Sequence, residues 1–239
     1  MTAITVNFNS IIDISDEQFY QLCIHNPDTK FERNSDGKII VMPPTGGETG
    51  KRNTDLIVQL GIWNKKAKLG EVFDSSTGYT LPNKANRSPD VSWIEKERWN
   101  SLTLKQKQKF IPLAPDFALE LMSPSDYLVN TQDKMTSDPA SSIVSDDSPA
   151  EGCRGLESAD SPSERRDAPA SAPAFGARER ARMREYRENG VKLGWLINPE
   201  EKQVEIYRLG QDVELLDSPQ SLSGEDILPG FVLDLTNIF

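Results

Sequence analysis

Two short apolar segments of this chain, both typical of buried β-strands, each contain one carboxylate. Asp90 opens the run Asp-Val-Ser-Trp-Ile, and Glu120 lies near the end of Asp-Phe-Ala-Leu-Glu-Leu. Because alternate side chains of a strand share a face, Ala118, Glu120 and Met122 are expected on one face of the second strand. A carboxylate on an apolar strand is costly unless it is paired, solvated or bound to a metal. Asp90 and Glu120 therefore predict a site for a hard cation, unless both are simply solvated charges at the rim of a sheet.

Strand-like and helix-like segments alternate along the chain, which predicts an α/β fold with a mixed β-sheet flanked by helices. Residues 31–33 and 38–42 are predicted to form a hairpin around Asn-Ser-Asp-Gly. A long helix follows, with Leu56, Leu60, Trp63 and Ala67 at helical spacing before Gly70. Further strands are predicted at 71–74, 78–81, 192–197, 203–209 and 228–235, in addition to the two acidic strands. The interpretation is a single domain over residues 1–239.

A change of composition interrupts this pattern. Residues 136–179 are dominated by Ser, Pro, Ala, Gly and Asp, with almost no large apolar residues. Such a segment cannot bury enough apolar surface to offset the entropy lost on ordering. We expect a long disordered insertion within the domain, and helical sequence resumes at about residue 180.

Composition excludes several kinds of site. His25 is the single histidine and the chain has two cysteines, so a zinc finger or a histidine-based metallonuclease is not supported. His25 itself is expected at the end of a short helix. The few cysteines argue against a disulfide framework and favour a cytoplasmic protein. No apolar run is long enough to span a bilayer, so no membrane partner is expected. The formal net charge of −10 argues against simple binding of nucleic acid through a basic surface.

Several short motifs, taken together, resemble one family of nucleases. The matching strings are PPTGGETG at 43–50, FDSSTG at 73–78, RSPD at 87–90, ERW at 97–99, APDF at 114–117, ELMSPSD at 120–126, GWLI at 194–197 and LPGF at 228–231. In this order they resemble the Uma2 family of endonucleases, which is similar to DUF820 and has the restriction-endonuclease-like PD-(D/E)XK fold. The resemblance covers nearly the whole chain except an unusual insertion at about 136–183.

The resemblance implies a DNA endonuclease that uses Mg²⁺ or Mn²⁺. Asp90 matches the family's first metal-binding acid, Glu120 the second, and Glu48 an acid on the long helix that completes the metal site. An alternative role for Glu48 is to complement the dipole at the start of that helix. Two further acids, Asp116 and Asp126, match family positions but are better interpreted as turn or capping residues. Restriction-type folds often act as dimers, so a homodimer is also an expectation.

The lysine of the family motif is displaced in this chain. Its usual position, two residues after Glu120, holds Met122. The resemblance implies that the following helix supplies the lysine, where Lys134 matches, as the third catalytic residue. The insertion separates Lys134 from the resumed helix, in which Arg182-Met183 restores a similar dipeptide. Either Lys134 stays in the site, which we favour, or Arg182 replaces it and activity is impaired, because arginine cannot donate a proton at ordinary pH.

Three functional hypotheses follow from the sequence. The first is a magnesium-dependent endodeoxyribonuclease, in which the metal polarises the phosphate and activates water. The second is a catalytically impaired relative that acts as a nucleic-acid or protein binding module. The third is a metal-dependent hydrolase of another phosphate ester, since a fold does not determine its substrate.

Overall fold

The computed structural model describes residues 3–8, 11–124 and 176–239. Residues 136–175 of the predicted insertion, Asp126 and Lys134 lie outside the described residues. The predicted end of the insertion at 179 is wrong, because a helix already begins at Ala177. The described helices are α1 Asp16–His25, α2 Gly47–Ala67, α3 Lys96–Ser101, α4 Leu104–Lys107 and α5 Ala177–Glu188. The described strands are β1 Ile4–Val6, β2 Lys30–Arg33, β3 Ile39–Met42, β4 Gly70–Asp74, β5 Tyr79–Thr80, β6 Asn86–Arg87, β7 Val91–Glu95, β8 Phe117–Leu121, β9 Leu193–Asn198, β10 Gln203–Arg208, β11 Glu214–Asp217, β12 Ser221–Ser223 and β13 Val232–Asp234.

The principal sheet is mixed, as predicted. Its six strands lie in the order β11-β10-β9-β8-β7-β4. β8 and β9 are parallel, whereas the other neighbouring pairs are antiparallel. A parallel pair requires a crossover connection, and α5 belongs to the connection between β8 and β9. A five-stranded sheet in the order β1-β3-β2-β6-β5 contains the predicted hairpin as β2 and β3, and β12 pairs with β13.

The principal sheet separates two apolar clusters. One cluster joins Leu56 and Leu60 of α2 to Phe117 and Trp195 of the sheet. The other joins α5 to the opposite face of the sheet through Met183, which packs in the same cluster as Ala118, Leu196 and Tyr79. Helices thus cover both faces, and the predicted α/β fold with a mixed sheet flanked by helices is confirmed.

Local sequence explains the bounds of the first two helices. Ser15 caps α1, because its hydroxyl accepts a hydrogen bond from the Gln18 N–H while the Gln18 side chain accepts one from the Ser15 N–H. α2 ends at Ala67, where Lys68 adopts a left-handed conformation with φ of 56° and its N–H bonds to the Asn64 carbonyl. None of the described helices is both long and apolar enough to cross a bilayer.

Candidate nuclease site

The alternation predicted for the Glu120 strand is confirmed. Phe117, Leu119 and Leu121 of β8 belong to the apolar cluster that includes α2. Ala118 and Met122 belong to the cluster that includes α5. Glu120 lies between them and is 2% exposed. The strand therefore directs one buried carboxylate towards α5.

Asp90 and Glu120 converge from neighbouring strands. Val91 of β7 pairs with Leu119 of β8 in an antiparallel register, which places Asp90 opposite Glu120. The Leu121 N–H donates a hydrogen bond of 2.9 Å to Asp90 Oδ2. Both acids line one cleft of about 320 Å³. The two acids thus lie in one cleft, and their role as metal ligands stays a prediction.

The surroundings of Asp90 oppose its ionisation only in part. Exclusion of solvent by the surrounding protein raises the pKa of Asp90. The positive charge of Lys30, the Leu121 N–H and the charge of Arg182 act in the opposite direction. Asp90 is partly exposed, and its hydrogen bond with a described residue uses Oδ2 alone. The carboxylate is therefore held at one oxygen and faces the cleft with the rest of its surface.

Glu120 is held at both oxygens. Arg182 Nη1 lies 3.1 Å from Glu120 Oε2, and the Tyr186 hydroxyl donates a 2.7 Å hydrogen bond to Oε1. Burial raises the pKa of Glu120 to about 8, even though Arg182 acts to lower it, and the negative charge of Asp90 adds to the rise. Two residues of α5, one turn apart, thus fix the Glu120 carboxyl against the sheet.

A second buried acid, Glu32, shares the same arginine. Arg182 Nη2 lies 2.7 Å from Glu32 Oε2, and Arg87 Nη1 lies 3.2 Å from that oxygen. The Ser88 N–H bonds to Glu32 Oε1 at 3.1 Å. Burial alone would raise the pKa of Glu32, which is 0% exposed, but the charges of Arg182 and Arg87 outweigh it and lower the pKa to about 2. Arg182 therefore bridges Glu32 of the five-stranded sheet and Glu120 of the principal sheet.

Two other acids singled out in the sequence, Glu48 and Asp116, lie in different surroundings. Glu48 is exposed in the first turn of α2, where its charge complements the helix dipole, and its neighbour Thr49 lines the cleft. Asp116 is buried away from the cleft, where it accepts a hydrogen bond from the Glu95 N–H and pairs with Arg98 and Lys192. Asp116 was predicted to be a turn or capping residue, and in the structure it is a buried acid held by two basic side chains and one backbone N–H.

Two further predictions have different outcomes. His25 is the last residue of α1, exposed to solvent, with Nδ1 2.8 Å from the Gln21 carbonyl oxygen, as predicted for a helix-terminal residue. Lys134 lies outside the described residues and stays a prediction. Arg182, the alternative source of positive charge, is 7% exposed and contacts Glu120.

The described donors fit a divalent cation in chemistry but supply few ligands. Carboxylate oxygens suit Mg²⁺ and Mn²⁺, and Asp90 and Glu120 supply them from adjacent strands. Within residues 3–8, 11–124 and 176–239, no group of three or more His, Cys, Asp or Glu side chains is placed to hold a metal. Glu120 accepts one hydrogen bond at each oxygen, so a bound metal would use a remaining lone pair of the carboxylate.

Three residues of the site were missed by the sequence analysis: Glu32, Tyr186 and Lys30. Glu32 lies between Phe31 and Arg33 in a predicted strand. An acidic residue inside a strand was the sequence signal that could have indicated it. Its partner Arg182 is 150 positions away in the chain, so no local pattern could pair them. Lys30 and Tyr186 carried no signal beyond their proximity to a predicted strand and a predicted helix.

Comparisons with known proteins agree with the fold. A crystal structure described as a "putative nuclease belonging to DUF820 from Anabaena variabilis ATCC 29413" is 18% identical in sequence, with a TM-score of 0.57. The match covers 89% of this chain and 90% of that one. No curated protein matches the chain. At this identity, the structural likeness shows the fold alone.

The family comparison is more extensive. The model of a family described as "Uma2: Putative restriction endonuclease" matches residues 16–137 and 160–236. The segment 138–159, which falls between the two matched segments, is part of the predicted insertion. The matched segments include both acidic strands, α2 and α5. This chain belongs to the Uma2 family.

Proposed function

We propose that this protein is a metal-dependent endonuclease that hydrolyses DNA phosphodiester bonds, with Mg²⁺ or Mn²⁺ held by Asp90 and Glu120. The observation that carries the proposal is the convergence of these two acids, from adjacent strands, in one cleft. Membership of the Uma2 family supports a nuclease activity, and the described donors are of the type that hard cations bind. A cytoplasmic location and a homodimer remain predictions.

Each described residue of the site has a separate role in the proposal. A bound divalent cation would polarise the phosphate and lower the pKa of a water molecule. Asp90, held by the Leu121 N–H, presents its remaining surface to the cleft. Glu120 faces the same cleft, and Arg182 and Tyr186 determine its orientation. Lys134 is proposed to stabilise negative charge on the phosphate. Glu48 stays the predicted third ligand, although among the described residues it lies outside the cleft lining and forms no three-ligand group with Asp90 and Glu120.

A second candidate function has its own support. Both oxygens of Glu120 already have partners, and the described residues contain no cluster of three potential metal ligands. These observations favour a relative that binds nucleic acid or protein without cleaving it. The two functions differ in whether the protein binds a divalent cation at Asp90.

One experiment separates the candidates. Supercoiled plasmid and single-stranded DNA are incubated with the purified protein across a Mg²⁺ and Mn²⁺ titration, with EDTA as the negative control. The nuclease proposal predicts metal-dependent cleavage, which Glu120→Gln reduces by at least about 10²-fold. DNA binding without cleavage under every condition would favour the binding module. Hydrolysis of p-nitrophenyl phosphate without DNA cleavage would favour a phosphate-ester hydrolase.

Metal binding is measured separately by isothermal titration calorimetry with Mn²⁺. The wild type is expected to bind, and Asp90→Asn to lose most of the affinity because one charged oxygen ligand is gone. Equal binding by both proteins would remove Asp90 from the ligand set, whatever the cleavage assay shows.

A further inference from the structure

The cleft contains a lysine that belongs to neither acidic strand. Lys30 opens β2, lines the cleft with Asp90 and Glu120, and is partly exposed. Its Nζ donates a 3.3 Å hydrogen bond to the Ser88 carbonyl. Since Ser88 precedes Asp90 by two residues, the ammonium group is anchored to the segment that carries the metal-binding acid.

Electrostatics also places Lys30 close to the acids. Its positive charge lowers the pKa of Asp90, and it acts in the same direction on Glu32. Such an effect falls with distance and with solvent screening. Because Lys30 also lines the same cleft as Asp90 and Glu120 and bonds to the Ser88 carbonyl, its ammonium group is placed to interact with an anion bound in that cleft.

The two arginines that line the cleft are committed elsewhere. Arg182 uses Nη1 for Glu120 and Nη2 for Glu32. Arg178 Nε lies 2.8 Å from Glu179 Oε1. Lys30, by contrast, bonds within the described residues to a backbone carbonyl, which does not neutralise its charge. Unlike the two arginines, Lys30 forms no ion pair with a carboxylate among the described residues at these distances, so its charge is available to a substrate.

We infer that Lys30 binds the DNA phosphate that lies against Asp90 and Glu120, and so supplies from β2 the positive charge that the motif position after Glu120 lacks. The inference rests on the proposed nuclease function for its substrate. It does not exclude the role proposed for Lys134, because two lysines can contact different oxygens of one phosphate. Arg182 then acts on the substrate only through Glu120.

The binding test uses fluorescence anisotropy of a labelled DNA duplex in EDTA, so that no cleavage occurs. The logarithm of the DNA-binding constant falls linearly with the logarithm of the salt concentration, and the slope is smaller in magnitude by about one when the protein neutralises one phosphate fewer. Lys30→Met is expected to show this loss, and Lys30→Arg to keep the wild-type slope. Lys38→Met is the matched control, because Lys38 lies on the same hairpin but pairs with Asp36 outside the cleft. Thermal unfolding verifies that each variant is folded.

Cleavage of the same duplex in Mg²⁺ provides the second readout. Lys30→Met is expected to lower kcat/KM by about 10²-fold, in the range for the loss of one preorganised charge at a phosphate. The inference is overturned if the wild type cleaves DNA and Lys30→Met shows the same kcat/KM and the same salt dependence of binding as the wild type. That result leaves the nuclease proposal standing. An inactive wild type removes the nuclease proposal, and the salt slope of DNA binding then still decides whether Lys30 contacts phosphate.

Two outcomes of the binding assay also overturn the inference. One is a salt slope that changes for Lys134→Met but not for Lys30→Met, and the other is a wild type that binds no DNA.

Discussion

At the scale of single residues, the site depends on buried acids that share one arginine. Placing a carboxylate in a protein interior is unfavourable unless hydrogen bonds and an opposite charge compensate. Glu32 has Arg182, Arg87 and the Ser88 N–H, whereas Glu120 has Arg182 and Tyr186. Removing one partner therefore leaves an uncompensated charge in the core.

Glu32→Gln is predicted to lower the free energy of unfolding by about 3–5 kcal/mol, because Arg182 and Arg87 lose their shared carboxylate. Urea denaturation at neutral pH measures the change. Glu17→Gln is the matched control, since Glu17 forms an exposed, solvent-screened ion pair with Lys109 and its loss is expected to leave stability nearly unchanged. A loss for Glu32→Gln as small as the control's would contradict the buried network.

The same residue gives a prediction for pH. The folded pKa of Glu32 is about 2, below its ordinary value of 4.5, so the folded state releases this proton more readily than the unfolded state. The stabilisation is complete above pH 4.5 and is lost as the pH falls towards 2. Wild-type protein is therefore expected to lose stability over this window more steeply than Glu32→Gln, as followed by urea denaturation at successive pH values. Parallel profiles would show that Glu32 does not contribute.

Tyr186→Phe tests the hydroxyl that holds Glu120. The change removes one buried donor and leaves Glu120 Oε1 without it, at an expected loss of about 1–3 kcal/mol in the free energy of unfolding. Tyr20→Phe serves as the control, because the described contacts of Tyr20 are made by its ring, with Phe110 and Lys109. Equal stability of the two variants would indicate that the Tyr186–Glu120 hydrogen bond contributes nothing.

At the scale of elements, Gly70, at the junction between α2 and β4, allows β4 to lie close to β7. A Cβ at Gly70 would lie 2.2 Å from the Ile94 carbonyl oxygen and 2.4 Å from the Trp93 ring. A Cβ at Gly61, within α2, would meet no atom within 4 Å. Glycine is therefore required by packing at the first position and only reduces helix propensity at the second.

Gly70→Ala is expected to destabilise the protein by about 1–3 kcal/mol or more, because the backbone of β7 would have to move. Gly61→Ala, the matched substitution, is expected to stabilise it by up to about 1 kcal/mol through helix propensity. Thermal and urea unfolding of the two variants measure both effects. Changes of the same sign would contradict this description of the junction.

The elements also show what the sequence could predict. The alternation in 117–122 predicted the direction of Glu120, and the β2–β3 hairpin and α2 were predicted from turn residues and helical spacing. Each of these depends on residues close together in the chain. The pairing of Glu32 with Arg182, by contrast, depends on the packing of α5 against both sheets, which no local periodicity contains. The sequence indicates Arg182 as a site residue only through the resemblance of Arg182-Met183 to Lys134-Met135.

At the scale of the whole molecule, the family match leaves one internal segment of the chain unmatched. Residues 138–159 fall between the matched segments 16–137 and 160–236. We predict that deletion of 138–159 leaves the thermal midpoint within about 4 °C of the wild type, a range that corresponds to a stability change of about 1 kcal/mol. Differential scanning calorimetry measures the midpoint. A much lower midpoint would show that this segment contributes to the folded core.

The most direct test of the site is cleavage of supercoiled plasmid in Mg²⁺ by wild-type protein and by Asp90→Asn, purified in parallel. If Asp90 and Glu120 bind the catalytic metal, the wild type cleaves in a metal-dependent way, the variant loses at least about 10²-fold of the activity, and both have similar melting temperatures. Asp36→Asn, in the exposed turn of the β2–β3 hairpin, is the control and should cleave as the wild type does. Equal cleavage by folded Asp90→Asn and wild type would contradict the central role of the two acids.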